Sequence, residues 1–176
     1  MPNTTYASFA NATLHKSKGC MAARTIQEWF DEYGESHRNA TNIAVHWIAV
    51  PLIFFSVIGL LSCITAIQLP YLGRFTVVGV ALVVVFVFYI RLSILLAFGM
   101  LVFGSACLAI AHWLDVHAPW PLWAISITVF VLAWIAQFIG HNVEGKKPSF
   151  LKDLQFLMIG PAWLLAKLLM KMGINF

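Results

Sequence analysis

Apolar residues run almost unbroken through several stretches of this chain, and polar residues collect between them. The first run, about residues 43–67, predicts a membrane-crossing helix. Gln68, Pro70 and Gly73 supply turn chemistry behind it. From Phe75 to Leu114 the chain is apolar with a single charge, Arg91. A continuous helix of that length would be about 60 Å long, twice a bilayer core. The run must break, and Arg91-Leu92-Ser93 is the place, giving spans near 74–90 and 93–114. "DVHAPWP" reads as a loop, Leu122–Ile139 as a fourth span, and "GHNVEGKKPSF" as the exit from the membrane. Residues 150–172 are apolar but interrupted by Gly160-Pro161, and they carry Lys167 and Lys171. They predict an interfacial or half-inserted helical hairpin, with a fifth span as the alternative.

The polar start of the chain reads differently. "TIQEWFDEY" predicts a short amphipathic helix on the membrane surface, with Thr25 and Glu28 as a capping box and Ile26, Trp29, Phe30 and Tyr33 on one side. Residues 1–21 contain no apolar core, so they predict a disordered tail rather than a secretory signal. Residues 22–176 then form a single membrane-embedded domain. Asn42 is positioned to cap the first span.

Composition agrees with the pattern. Hydrophobic residues make up 61% of the chain and charged residues 10%, against roughly 25% charged in soluble domains. The short alternating segments of an outer-membrane barrel are absent, so the fold class is all-α: an integral membrane bundle of about four spanning helices. No feature calls for nucleic acid. Cys20, Cys63 and Cys107 have neither metal spacing nor a pairing pattern. Four spans put ten of the eleven Lys and Arg residues on one face, leaving only Arg74 opposite. Basic residues accumulate on the cytoplasmic side, so both termini are expected there.

This topology sorts the histidines. His37 and His46 lie at the entrance of the first span, and His141 and Glu144 at the exit of the fourth, on the same face. His112 and His117 lie across the hydrocarbon, and His15 in the tail. His37 and His46 are nine positions apart, so a break at "RNATN" is needed for both to turn inward. His141 and Glu144 are i and i+3, a spacing that helical metal sites use for an imidazole and a carboxylate. Three imidazoles with a carboxylate suit iron(II), zinc or copper, not magnesium or calcium. Singly, each histidine also reads as an interfacial anchor, Asn42 as a simple cap, and Glu144 as a surface partner of Lys146 or Lys147.

The two ends carry a recognisable pair of motifs. "YGESHRNATNIAVHWIAVPLI" has the form Tyr-x3-His-x4-Asn-x3-His followed by Pro51, and "QFIGHNVEGKKPSF" the form Gln-Phe-Ile-Gly-His-x2-Glu-x3-Pro. Together they resemble the small membrane family of 2-hydroxy fatty acid dioxygenases, over about residues 22–165. The resemblance implies a catalytic membrane domain that uses Fe(II) and dioxygen to shorten long-chain 2-hydroxy fatty acids by one carbon, as in sphingolipid degradation. It implies His37, His46 and His141 as the catalytic metal ligands, with Glu144 a candidate fourth. Tyr33, Asn42 and Gln137 match the surrounding motif positions, and Arg38, Lys146 or Lys147 would attract the substrate carboxylate. It also implies an endoplasmic reticulum location in a eukaryote and the cytoplasmic membrane in a bacterium. Where the family often carries an acidic residue beyond the final proline, this chain has Lys167. The rival readings are a non-catalytic haem-binding protein and a scaffold or transport protein. The latter is opposed by the lack of an internal repeat and of a charge deep within a span.

Overall fold

The expected capping box opens the first helix: Thr25 N–H donates to Glu28 Oε2 at 2.8 Å, and Glu28 N–H donates to Thr25 Oγ1 at 3.3 Å. The computed structural model describes residues 25–35, 37–64, 66–69, 73–144 and 158–174. The expected tail falls outside the described residues. Among those described are six helices and two strands: α1 (Ile26–Glu35), α2 (Ala40–Ser62), β1 (Ile67–Leu69), β2 (Gly73–Phe75), α3 (Val77–Ile90), α4 (Ile94–His117), α5 (Leu122–Glu144) and α6 (Ile159–Lys171). The fold is a helical membrane bundle with one small antiparallel hairpin, in which Ile67 pairs with Phe75 and Leu69 with Gly73.

Several boundaries differ from expectation. The cap of α2 is Asn39, whose Oδ1 accepts from Thr41 N–H at 2.8 Å. Asn42 is not the cap: it lies inside the first turn, wholly buried. The helix ends at Ser62, and Ile67 and Gln68, expected at the end of the span and in the turn, belong to β1. The break at 91–93 stands where expected, with Ser93 capping α4 through Leu96 N–H. Helix α5 runs past Ile139 to Glu144, so His141 sits on the helix.

Ala40–Ser62, Ile94–His117 and Leu122–Val143, of 23, 24 and 22 residues, are long and apolar enough to cross a membrane. Helix α3 has 14 residues, about 21 Å, and so falls short of the about 30 Å hydrocarbon core as a helix alone. Its sides are apolar all round, and Val83 and Val84 are exposed, as are Phe98 and Val102 of α4 and Val131 and Leu132 of α5. Such continuous exposed apolar surface belongs in lipid. Trp113, Trp120 and Trp123 cluster around the α4–α5 connection, all more than half exposed, in the manner of an interfacial aromatic belt.

The main seam is antiparallel α2 against α5. Ala49 and Ile53 meet Ala133 and Trp134 in its middle. Near one end Gly140 passes so close to α2 that a Cβ there would lie 2.6 Å from Asn42 Oδ1. Small residues allow membrane helices this approach. Helix α6 packs against α1, α2 and α4. Gly160-Pro161 does not interrupt it but falls in its first turn, where proline's missing N–H removes a donor that has no helical partner anyway. The Tyr89 hydroxyl donates to the Met158 carbonyl, tying the end of α3 to the start of α6. The described helix α6 has 13 residues, about 20 Å, less than the hydrocarbon core by itself. The other arm of the expected hairpin, residues 150–157, lies outside the described residues.

Candidate metal centre

His37 sits in the short link between α1 and α2, His46 two turns into α2, and His141 in the last turn of α5. The antiparallel seam places the start of α2 beside the end of α5, and the link turns His37 inward. One ligand atom from each lies within 4.8 Å of those of the other two, the only such group among the described residues. All three are buried, at 6%, 1% and 4% exposure. The rings stand at steep angles: His46 is 80° from His37 and 82° from His141, with centroids 4.4 and 5.0 Å apart.

Two of the rings are oriented by the backbone of the preceding turn. His37 Nδ1 lies 2.6 Å from the Tyr33 carbonyl, and His46 Nδ1 lies 2.9 Å from the Asn42 carbonyl. A carbonyl only accepts, so each Nδ1 carries the proton and donates it. The lone pair of the neutral ring then resides on Nε2. Metal-binding histidines are held in this way, with the far ring N–H tied to an oxygen acceptor. The donor set therefore fits a transition-metal ion that prefers imidazole.

Aromatic packing closes the pocket. The Tyr33 ring stacks on His37 at 4.0 Å and 16°. Trp163 of α6 meets Tyr33 edge-on at 5.1 Å and lies 5.7 Å from His37. Gly160, one turn back, leaves room for Tyr33: a Cβ there would sit 3.1 Å from the tyrosine hydroxyl. Lys167 Nζ lies 3.5 Å from the Trp163 ring centre, a cation–π contact, and burial lowers its pKa from the ordinary lysine value.

Of the residues expected at the site, His37, His46, His141, Tyr33, Asn42 and Gln137 are all buried at this end of the bundle, Gln137 one turn before His141. Arg38 is exposed and borders a cavity of about 410 Å³ between α1 and α6, together with Asp31, Trp163 and Lys167. Glu144 closes α5, but its side chain and the whole of Lys146 lie outside the described residues. His112 and His117 are exposed on α4, and His117 Nδ1 donates to the Trp113 carbonyl at 2.9 Å. Sequence reading passed over Gly160 and Trp163. The available signal was the helical spacing of Gly160, Trp163 and Lys167, obscured by treating Gly-Pro as an interruption.

A small helical membrane protein with a buried three-histidine pocket at one end of its bundle is the class that fold and site define. The chain belongs to the Mpo1-like family, described as 2-hydroxy-palmitic acid dioxygenase Mpo1-like, whose profile matches residues 23–172. It is similar to the 2-hydroxy-palmitic acid dioxygenase MPO1 of Saccharomyces cerevisiae, 30% identical over 142 residues that cover 78% of this chain and 75% of the relative. No solved structure matches.

Proposed function

We propose that this protein is an iron(II)-dependent dioxygenase that performs α-oxidation of long-chain 2-hydroxy fatty acids, with His37, His46 and His141 as the ligands of one ion. The observation that carries the proposal is the buried trio with its ligand atoms within 4.8 Å. When bound, iron(II) supplies redox chemistry toward dioxygen and open positions for substrate donors. Zinc fits the same imidazoles but has no redox chemistry, which is why an oxygenase reading favours iron. The protein's part is to hold and to exclude. The Tyr33 and Asn42 carbonyls fix the two Nδ1 protons, and Tyr33 and Trp163 wall the pocket against water. The substrates of this reading are the fatty acid and dioxygen, and the bilayer delivers the acid.

Metal analysis of purified protein tests this, with about one iron per chain expected and no Soret band. A Soret band would support the haem-binding reading instead. An iron-loaded protein that turns over no 2-hydroxy acid would favour a binding or scaffold role.

The same reading places both termini on the cytoplasmic face, of the endoplasmic reticulum in a eukaryote or of the plasma membrane in a bacterium. It is supported by the ten-to-one division of basic residues. In a background lacking Cys20, Cys63 and Cys107, single cysteines at Thr25 and Ile174 are expected to label from the cytoplasm and one at Val116 only from the other side. Cytoplasmic labelling of all three positions would overturn the four-span arrangement.

A further inference from the structure

On the lipid-facing flank of α6 lies an apolar groove of about 190 Å³ between α2, α4 and α6. Pro51, Met100, Phe103, Pro161, Leu164 and Leu168 line it. Two of the helices that wall it, α2 and α6, also carry residues of the histidine site. On α2, Trp47 and Pro51 of the groove directly follow His46 and Val50, and Val50 faces Gly160. On α6, Pro161 and Leu164 of the groove directly follow Gly160 and Trp163, which pack on Tyr33 and His37. The groove thus runs alongside the pocket, one residue around each helix. It is open to the bilayer where Trp47 and Leu168 are 40% and 44% exposed. On α2 and α4 it lies roughly 10–16 Å from the helix starts, at hydrocarbon depth.

We infer that this groove is the acyl-chain slot of the enzyme and sets its chain-length preference. The inference rests on the dioxygenase reading and assigns it a tail subsite. The occupant must be apolar along its whole length, since no titratable side chain lines the groove. Its polar end must lie near the histidine site, whose residues directly precede those of the groove on α2 and α6. A fatty acid with its head at the histidines and its tail between α4 and α6 meets both demands. A substrate drawn laterally from the membrane would need no passage through water. Leu168 stands at the lipid-facing rim and Met100 is buried within, so the two act at different points along the tail.

Two experiments on the full-length, iron-loaded protein in bilayer nanodiscs test the slot. The first compares turnover over a ladder of 2-hydroxy acids, short to long, for the wild type, Leu168→Trp, and a control Val84→Trp on the lipid face of α3. Leu168→Trp is expected to shift the preference toward shorter acids, raising KM for long acids relative to short ones and leaving iron content unchanged. Val84→Trp should match the wild type. A uniform loss over all lengths, or an unchanged profile in Leu168→Trp, would overturn the slot. The second experiment needs no turnover. A 2-hydroxy acid bearing a photoactivatable diazirine near its methyl end is expected to label peptides containing Met100–Phe103 and Leu164–Leu168, with competition by the unlabelled acid. Labelling spread evenly over α3, α4 and α5 would mean that the tail stays in bulk lipid, and would also overturn it. Groove labelling without turnover of any acid would uphold the slot while counting against the proposed reaction.

Discussion

Replacing His141 by alanine is expected to leave a folded membrane protein that no longer holds iron. His141 is the one candidate ligand that α5 brings to the trio, and without it two imidazoles from adjoining segments remain. Losing an outer hydrogen-bond partner of a metal ligand costs about 10–100-fold in affinity. Losing the ligand itself should exceed that, taking activity to background. His37→Ala and His46→Ala are expected to do the same, and His112→Ala and His117→Ala to retain full iron. Tyr33→Phe gives the sharper comparison. The group that orients His37 is the main-chain carbonyl of Tyr33, which the substitution preserves along with the ring stack. Iron should therefore stay bound. Iron content by elemental analysis, read beside thermal unfolding, decides the matter. Undiminished iron in His141→Ala would remove His141 from the ligand set.

The second large effect concerns the substrate head. A long-chain 2-hydroxy acid is expected to exceed the unhydroxylated and 3-hydroxy acids of equal length by several orders of magnitude in kcat/KM. Tail burial contributes at most about 0.8 kcal/mol per methylene and is the same in all three. Selectivity must then come from the head, in a pocket where the histidines are 1–6% exposed. Water cannot stand in cheaply there for a missing substrate oxygen. A carboxylate and its neighbouring hydroxyl offer two donors in a five-membered arrangement, the 3-hydroxy acid needs a six-membered one, and the plain acid has no hydroxyl. Sites built around a substrate hydroxyl reject analogues lacking it by about 10⁴–10⁵-fold. Product masses after oxygen is added to anaerobically loaded protein give the answer. Equal turnover of the three acids would show that the hydroxyl is not read.

The features legible in the sequence are those with a local physical signature. Thr25 and Glu28 announce their box because both partners lie within one turn. The break at Arg91–Ser93 follows from bilayer thickness. An even number of apolar runs brings His37, His46 and His141 to one face, and the asymmetry of the basic residues agrees with it. Harder to read were choices between chemically similar options. Asn39 and Asn42 can each cap a helix, and the difference is tertiary: Asn42 is buried where Gly140 of α5 comes within reach. Ile67-Gln68-Leu69 suits helix or strand, and pairing with Gly73-Arg74-Phe75 decides it. Trp163 was hidden behind Gly160-Pro161, which begins α6 rather than breaking it.

The seam between α2 and α5 has a consequence for how the protein matures. His37 and His46 emerge from the ribosome early, while His141 follows only after α3 and α4. A complete site therefore cannot exist until α5 has entered the membrane and docked on α2. An ion held by all three would thus bind last, onto the assembled bundle, and by mass action would act on it as a clasp. Without such an ion, α5 would rest on α2 through the helix seam alone and be held less firmly there.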